Sequence, residues 1–211
     1  MHRLFLLLIV CVSVTGCFPK KAGSRLGHFV AESPEVGELA PDFSLQNLNG
    51  EEVTLTSLLG SRPIVLQLGS HSCPVYRYRR FSMGKLYREY SDKAHFLLVY
   101  TLEAHPVGAI NPYVDREWVS SFNYITNTLV PFHTDMNSRL TTAKSSHESL
   151  SIAYPMVVDN MNNEIWQAYG RAPSAAFVID RDGRIVLRQP WVDPIGIRGA
   201  LDQLLDNSNR K

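Results

Sequence analysis

Two apolar, β-rich runs joined by a segment of helical length constrain this chain more than any other feature. Pro63 to Leu68 (PIVLQL) stops at Gly69-Ser70, Phe96 to Tyr100 (FLLVY) comes later, and Pro74 to Tyr90 lies between them. Unbroken apolar runs of this length suit parallel strands covered on both faces, and parallel strands need a crossover, so residues 63–100 read as one βαβ unit. Downstream, Ala176 to Ile179, the turn Asp180-Arg181-Asp182-Gly183 and Arg184 to Leu187 read as a hairpin, with a last helix over Ile195 to Leu205. Upstream, Ala40 to Leu45 alternates into a short strand, Asn47 to Gly50 turns, and Glu51 to Leu55 returns.

The order β-α-β, then β-β-α, is the thioredoxin arrangement. The expected class is therefore α/β, a thioredoxin-like fold with an N-terminal hairpin and a helical insertion. With 211 residues, 45% hydrophobic and 19% charged, the chain can bury one core, assigned to residues 40–207. A net charge of +1 gives no footprint for nucleic acid. Val107 to Tyr154 is longer than a minimal thioredoxin needs, and reads as an insertion beside the site. Within it Asp115 is placed to cap a helix over Arg116 to Asn127, with Trp118, Phe122 and Ile125 spaced for one buried face. Substrate lid and simple packing both remain open for this insertion.

The first residues carry an address. Met1-His2-Arg3 is a short positive segment, Leu4 to Val14 is an apolar run of eleven residues, and Val14-Thr15-Gly16-Cys17 ends in small residues. The run is too short to span a bilayer as a helix. The tetrad resembles the lipobox of bacterial lipoproteins, which makes 1–16 a lipoprotein signal, Cys17 the lipidated first residue and 17–39, rich in Lys, Gly, Ser and Pro, a tether. Phe18, in place of aspartate after the cysteine, points to the periplasmic side of the outer membrane. Expected localisation is thus the cell envelope, lipid-anchored. Cys11 leaves with the signal, Cys17 carries lipid, and Cys73 is left as the one free thiol, which calls for a reactive role or an outside partner.

Cys73 follows a strand and small residues and precedes Pro74. Proline is favoured at the first helical position, so Cys73 is expected at the N-cap, where free amides and the positive helix end favour a thiolate and lower the thiol below its usual value of about 8.5. Arg77, Arg79, Arg80, Lys85 and Arg88 add positive charge, either as a solvated face or turned toward the sulfur. The position of a second thiol in a Cys-x-x-Cys motif holds Tyr76, so no internal thiol resolves Cys73. Copper delivery needs two close cysteines and is excluded; neither metal nor cofactor is expected. Of the two residues that mark a peroxiredoxin ahead of its cysteine, Ser70 fits and Leu66, in place of proline, does not. Glu103 and His105, beyond the FLLVY strand, share a face if extension continues, and a carboxylate beside an imidazole can handle protons near neutral pH.

The segment RPIVLQLGSHSCPVYRYRRFSMGKLYREYSDKAHFLLVYTLEAHP resembles the iodothyronine deiodinases: strand, Gly-Ser, selenocysteine-Pro, helix, FLLVY strand and Glu-Ala-His-Pro. His133 with Arg139 matches the family's His-x5-Arg, and Val157 to Asn163 with Ala168-Tyr169-Gly170 matches its late block, so the likeness covers about residues 40 to 205. The resemblance implies that Cys73 stands at the selenocysteine position, that Glu103, His105 and His133 serve proton relay and substrate contact, and that Ser72, just before the nucleophile, hydrogen-bonds the sulfur. It also raises the prospect of a homodimer. Two departures weaken the match: cysteine replaces selenocysteine, and the block Arg171 to Ala175 places an alanine where the family's substrate-binding arginine aligns. Pro173 there resembles the cis-proline that faces a redoxin's cysteine.

Three functions stay open. The first is a single-cysteine oxidoreductase that dehalogenates an iodinated phenolic substrate through a Cys73 thiolate, with an external thiol as reductant. The second is a peroxiredoxin-like thiol peroxidase or a disulfide reductase of the envelope. The third is a non-catalytic thioredoxin-fold binding module.

Overall fold

Apolar runs become a mixed sheet in the computed structural model, which describes residues 27–208. A short helix α1 (Gly27–Glu32) precedes the hairpin β1 (Ser44–Asn47) and β2 (Glu52–Thr54), and then β3 (Ile64–Gly69), α2 (Pro74–Tyr90) and β4 (His95–Tyr100) form the expected βαβ unit. Next come α3 (Ser121–Ile125), α4 (Met136–Ser149), β5 (Met156–Val158) and α5 (Glu164–Ala168). The chain closes through β6 (Ala176–Ile179), β7 (Ile185–Gln189) and α6 (Pro194–Ser208). Strand order is β2-β1-β5-β4-β3-β6-β7. β3 runs parallel to β4 and β4 to β5, while β6 and β7 continue antiparallel from β3. This is the thioredoxin-like α/β fold, with the N-terminal hairpin added beside β5.

Every residue of β3 is buried, because both faces are covered. Val65 points into a core with Met83 and Leu86 of α2 and Leu201 of α6, while Ile64, Leu66 and Leu68 point into a second core with Phe177, Tyr169 and Phe29. That alternation, with helices on either side, puts the carboxyl ends of β3 and β4 at one rim, where open α/β sheets place their sites.

Gly69 ends β3 for a steric reason. A Cβ there would meet the Tyr76 ring at 2.6 Å, and Tyr76 is fully buried beneath the loop that carries Cys73. Gly69→Ala is expected to lower unfolding stability by about 1–3 kcal/mol through overpacking, measured as a shift of the denaturant midpoint at constant slope.

Two segments differ from expectation. The tether assigned to 17–39 is folded from Gly27 onward: Phe29 is 3% exposed, packed against Phe177 with ring centroids 5.9 Å apart, and Leu39 pairs with Arg184. An aromatic side chain with a ready apolar partner does not stay in a solvated spacer. The signal at 1–16 and Cys17 lie outside the described residues. In the insertion, Asp115 adopts a left-handed backbone (φ 53°) and caps nothing; the helix starts at N-cap Ser120 and lasts one turn. Asn111 causes the delay, because its side-chain amide donates to the carbonyls of Ala104 and Trp118 and holds the chain in a turn. The helix then buries Asn123, while Phe122 and Ile125 are exposed.

Candidate active site

Cys73 is the N-cap of α2 and Pro74 its first helical residue, as the strand, small residues and Cys-Pro pattern requires. The side chain is only 2% exposed. Burial pushes the Cys73 thiol up to about 11, because a thiolate there loses its water; the amides of Tyr76 and Val75 and the Arg77 guanidinium pull it down, and the Glu103 carboxylate pushes it further up. This reverses the expected lowering. The helix-end amides are in place, but they act on a group removed from solvent, and desolvation outweighs them.

A cleft of about 210 Å³ opens on Cys73. Its walls are largely apolar: Pro74 and Val75 of α2, Tyr113 and Trp118 of the insertion, Pro173 ahead of β6 and Trp191 beyond β7. His105 and Ser120 add polar groups. The aromatic wall is fixed from behind, since the Trp166 indole N–H donates to the Tyr113 hydroxyl at 2.8 Å and His105 stands edge-on to Trp118 with centroids 4.5 Å apart. The sequence marks none of Tyr113, Trp118 and Trp191 as a substrate contact; for Tyr113 and Trp118 the cluster of aromatics in an oversized insertion is the available signal, and Trp191, beyond β7, has none.

Glu103 and His105 meet different surroundings. The chain bends after Tyr100, so strand alternation ends before it reaches them. Glu103 turns inward: its Oε2 accepts from the Ser72 amide at 2.7 Å, and its Oε1 accepts from the Tyr100 hydroxyl. The imidazole near it is that of His133, whose Nε2 lies 4.0 Å from Oε1. Burial raises the Glu103 carboxyl, against the Ser72 and Tyr100 hydrogen bonds and the Arg139 guanidinium that lower it. His105 instead faces the cleft, its backbone amide donating to the Ser72 hydroxyl at 2.9 Å and its Nδ1 lying 3.3 Å from the Asn111 amide.

Three further expectations shift. His133, expected at the substrate, is 2% exposed, is not among the cleft-lining residues, and its ring centroid lies 6.3 Å from that of Tyr100. Ser72 meets Glu103 and the His105 amide, so its hydroxyl is used away from the sulfur. Pro173 does line the cleft, but no peptide bond among the described residues is cis. The turn into β6 is made at Gly170 and Arg171, both left-handed, and a trans proline then reaches the cleft. Arg171 pairs with Glu32 at 3.0 Å, and no arginine is among the cleft-lining residues.

Burial, aided by Arg139, lowers His133 to about 4. An imidazole that ionises near 6.5 when unfolded and near 4 when folded binds fewer protons in the native state, so its neutrality costs stability as pH falls from about 6.5 to 4. Melting temperature is therefore expected to fall across that window, and His133→Asn should flatten the fall in calorimetric scans.

Among the described residues, no group of three His, Cys, Asp or Glu is arranged to hold a metal ion, and no helix is long and apolar enough to cross a membrane.

Comparison with known proteins bears on the family and the fold. A family model described as iodothyronine deiodinase matches residues 26–193. The type I iodothyronine deiodinase of Xenopus laevis is 30% identical over 160 residues, covering 74% of this chain and 58% of that protein. The thyroxine 5-deiodinase of Gallus gallus is 32% identical over 162 residues, covering 76% and 57%. The chain thus spans less than two thirds of these relatives. Among solved structures, the thioredoxin domain of a thiol-disulfide oxidoreductase from Bacteroides vulgatus superposes with a TM-score of 0.57 at 14% identity, over 80% of this chain and 99% of that one. The exposed lipoprotein thioredoxin of Streptococcus pneumoniae gives 0.52 at 17%, over 78% and 100%.

Proposed function

The chain belongs to the iodothyronine deiodinase family, and we propose that it is a single-cysteine thiol oxidoreductase that reductively dehalogenates an iodinated phenolic substrate. The aromatic cleft that opens on Cys73 is the observation that carries this reading. Its volume of about 210 Å³ is below the ~300–1,000 Å³ of pockets that enclose a whole drug-sized ligand, so it suits one ring slotted between Tyr113, Trp118 and Trp191.

In the reaction the Cys73 thiolate attacks iodine. An S–I bond forms as the C–I bond breaks, and the ring carbon takes the electron pair and a proton. An external thiol then attacks the Cys73 sulfur and expels iodide, leaving a mixed disulfide that a second thiol resolves. Carbon gains two electrons and two thiols become one disulfide. His105, in the cleft, is placed to supply the ring proton, and Glu103, behind Ser72, to manage the proton of Cys73. Cys17 is proposed to carry a lipid that holds the domain at the envelope, on the strength of the Val14-Thr15-Gly16-Cys17 tetrad.

The structure gives less support to a peroxidase. The peroxiredoxin proline is replaced by Leu66, and the Ser70 hydroxyl accepts from the Ala104 amide at 3.0 Å. Incubating the purified chain with an iodothyronine and a dithiol should release iodide; turnover of peroxide alone would sink the dehalogenase reading.

A further inference from the structure

Buried charges in proteins are normally paired, because an isolated ion out of water costs several kcal/mol. Arg77, on the first turn of α2, breaks that pattern. It is 6% exposed, and none of the ion pairs among the described residues includes it. Its guanidinium is held by neutral acceptors: the His71 carbonyl at 2.7 Å, the Asn123 side-chain oxygen at 2.8 Å and the Thr126 hydroxyl at 3.4 Å. Asn123, fully buried, also donates to the Ser72 carbonyl at 2.8 Å. Two side chains therefore grip the two residues directly ahead of Cys73, and one of them is a cation without a carboxylate.

We propose that Arg77, oriented by Asn123 as a positioning residue, is the counter-ion of the Cys73 thiolate, so that the one-turn helix of the insertion fixes the charge that makes the nucleophile. Arg77 sits one turn beyond Cys73, its backbone amide donating to the Cys73 carbonyl at 3.2 Å, so its guanidinium and an ionised sulfur attract each other. The other groups around the sulfur do not replace that charge. The Tyr76 and Val75 amides favour the thiolate as dipoles without net charge, Glu103 opposes it, Tyr76 and Tyr113 are held neutral by burial, His71 on the preceding loop is kept neutral by burial and by Arg77, and His105 lines the same cleft. The inference rests on the reading of Cys73 as a nucleophile but not on its substrate.

The test measures iodoacetamide alkylation of Cys73 in the full chain against pH, read by mass spectrometry on the Cys73 peptide so that Cys11 and Cys17 do not contribute. Arg77→Gln keeps amide donors without charge and should slow alkylation at pH 8 about tenfold, the equivalent of one unit in the thiol's ionisation. Arg77→Lys should stay within about threefold of wild type. Asn123→Asp keeps the acceptor for Arg77 while losing the donor to the Ser72 carbonyl, gives Arg77 a carboxylate, and should slow alkylation like Arg77→Gln. A folded Arg77→Gln chain, with a wild-type melting temperature and a wild-type alkylation profile, would overturn the proposal. If that variant does not fold, an unchanged profile in Asn123→Asp does the same. Iodide release is assayed separately: wild type that releases no iodide while these shifts appear contradicts the dehalogenase reading alone.

Discussion

Cys73→Ser is expected to reduce iodide release by about 10³-fold or more, to the level of the uncatalysed reaction with thiol. Sulfur is the only soft nucleophile in the cleft, and Cys73 is the one cysteine within the described residues. A serine hydroxyl there has the same burial and the same amides but does not ionise near neutral pH. The substitution is close to isosteric, so the fold and the aromatic walls should persist, and ring binding should be retained while chemistry is lost. This separates the enzyme from the alternative of a binding module, in which wild type and variant would bind alike and neither would release iodide. With the thiol at about 11, only about 10⁻⁴ of Cys73 is ionised at pH 7 in the free protein, so rates should climb with pH between 7 and 9 in wild type and be flat in the variant.

Glu103→Gln should act on activity and stability in opposite directions. The carboxyl of Glu103 is raised by burial, so the folded protein binds its proton more tightly than the unfolded chain does. Ionising it therefore costs stability progressively as pH rises from the ordinary glutamate value through the raised one, and that cost persists above. Glutamine has the same shape and no charge to bury. Its oxygen can keep the Ser72 amide, and the Tyr100 hydroxyl can turn to accept from its nitrogen. The melting temperature of the variant relative to wild type should therefore be higher at pH 8 than at pH 4.5. Meanwhile kcat/KM should fall about 10²-fold or more, the usual cost of losing a proton-handling group. A variant that keeps kcat/KM within threefold of wild type would show that Glu103 is only a structural carboxylate, and one that gains no relative stability with pH would show that its carboxyl is not raised by burial.

Local patterns were legible where one physical cause dominated. PIVLQL, Gly69, Pro74 and FLLVY set β3, α2 and β4, and the N-cap position of Cys73, because burial on both faces and the chemistry of proline leave few alternatives. The burial of Cys73 was not legible, since it comes from the insertion, Pro173 and Trp191, which approach from distant parts of the chain. The environment then reversed the expected ionisation. The inward turn of Glu103, with the His133 imidazole 4.0 Å away, had the same origin: strand period was carried past Tyr100, where the chain already bends. Helix α4 was not assigned within the insertion, because MNSRLTTAKSSHES has too weak an apolar stripe to announce it; its Asp135 capping box with Ser138 and its buried Arg139 mark it only in three dimensions.

If one thiol, without an internal partner, takes the halogen, the amount of product formed in the absence of reductant is limited by Cys73, and a Cys11→Ser, Cys17→Ser chain, where Cys73 is the only cysteine, lets it be counted. An iodinated phenolic substrate should yield at most one deiodinated ring per chain and then stop, with turnover resuming when dithiol is added. No deiodinated ring at all, or many rings per chain without a thiol, would contradict that role for Cys73.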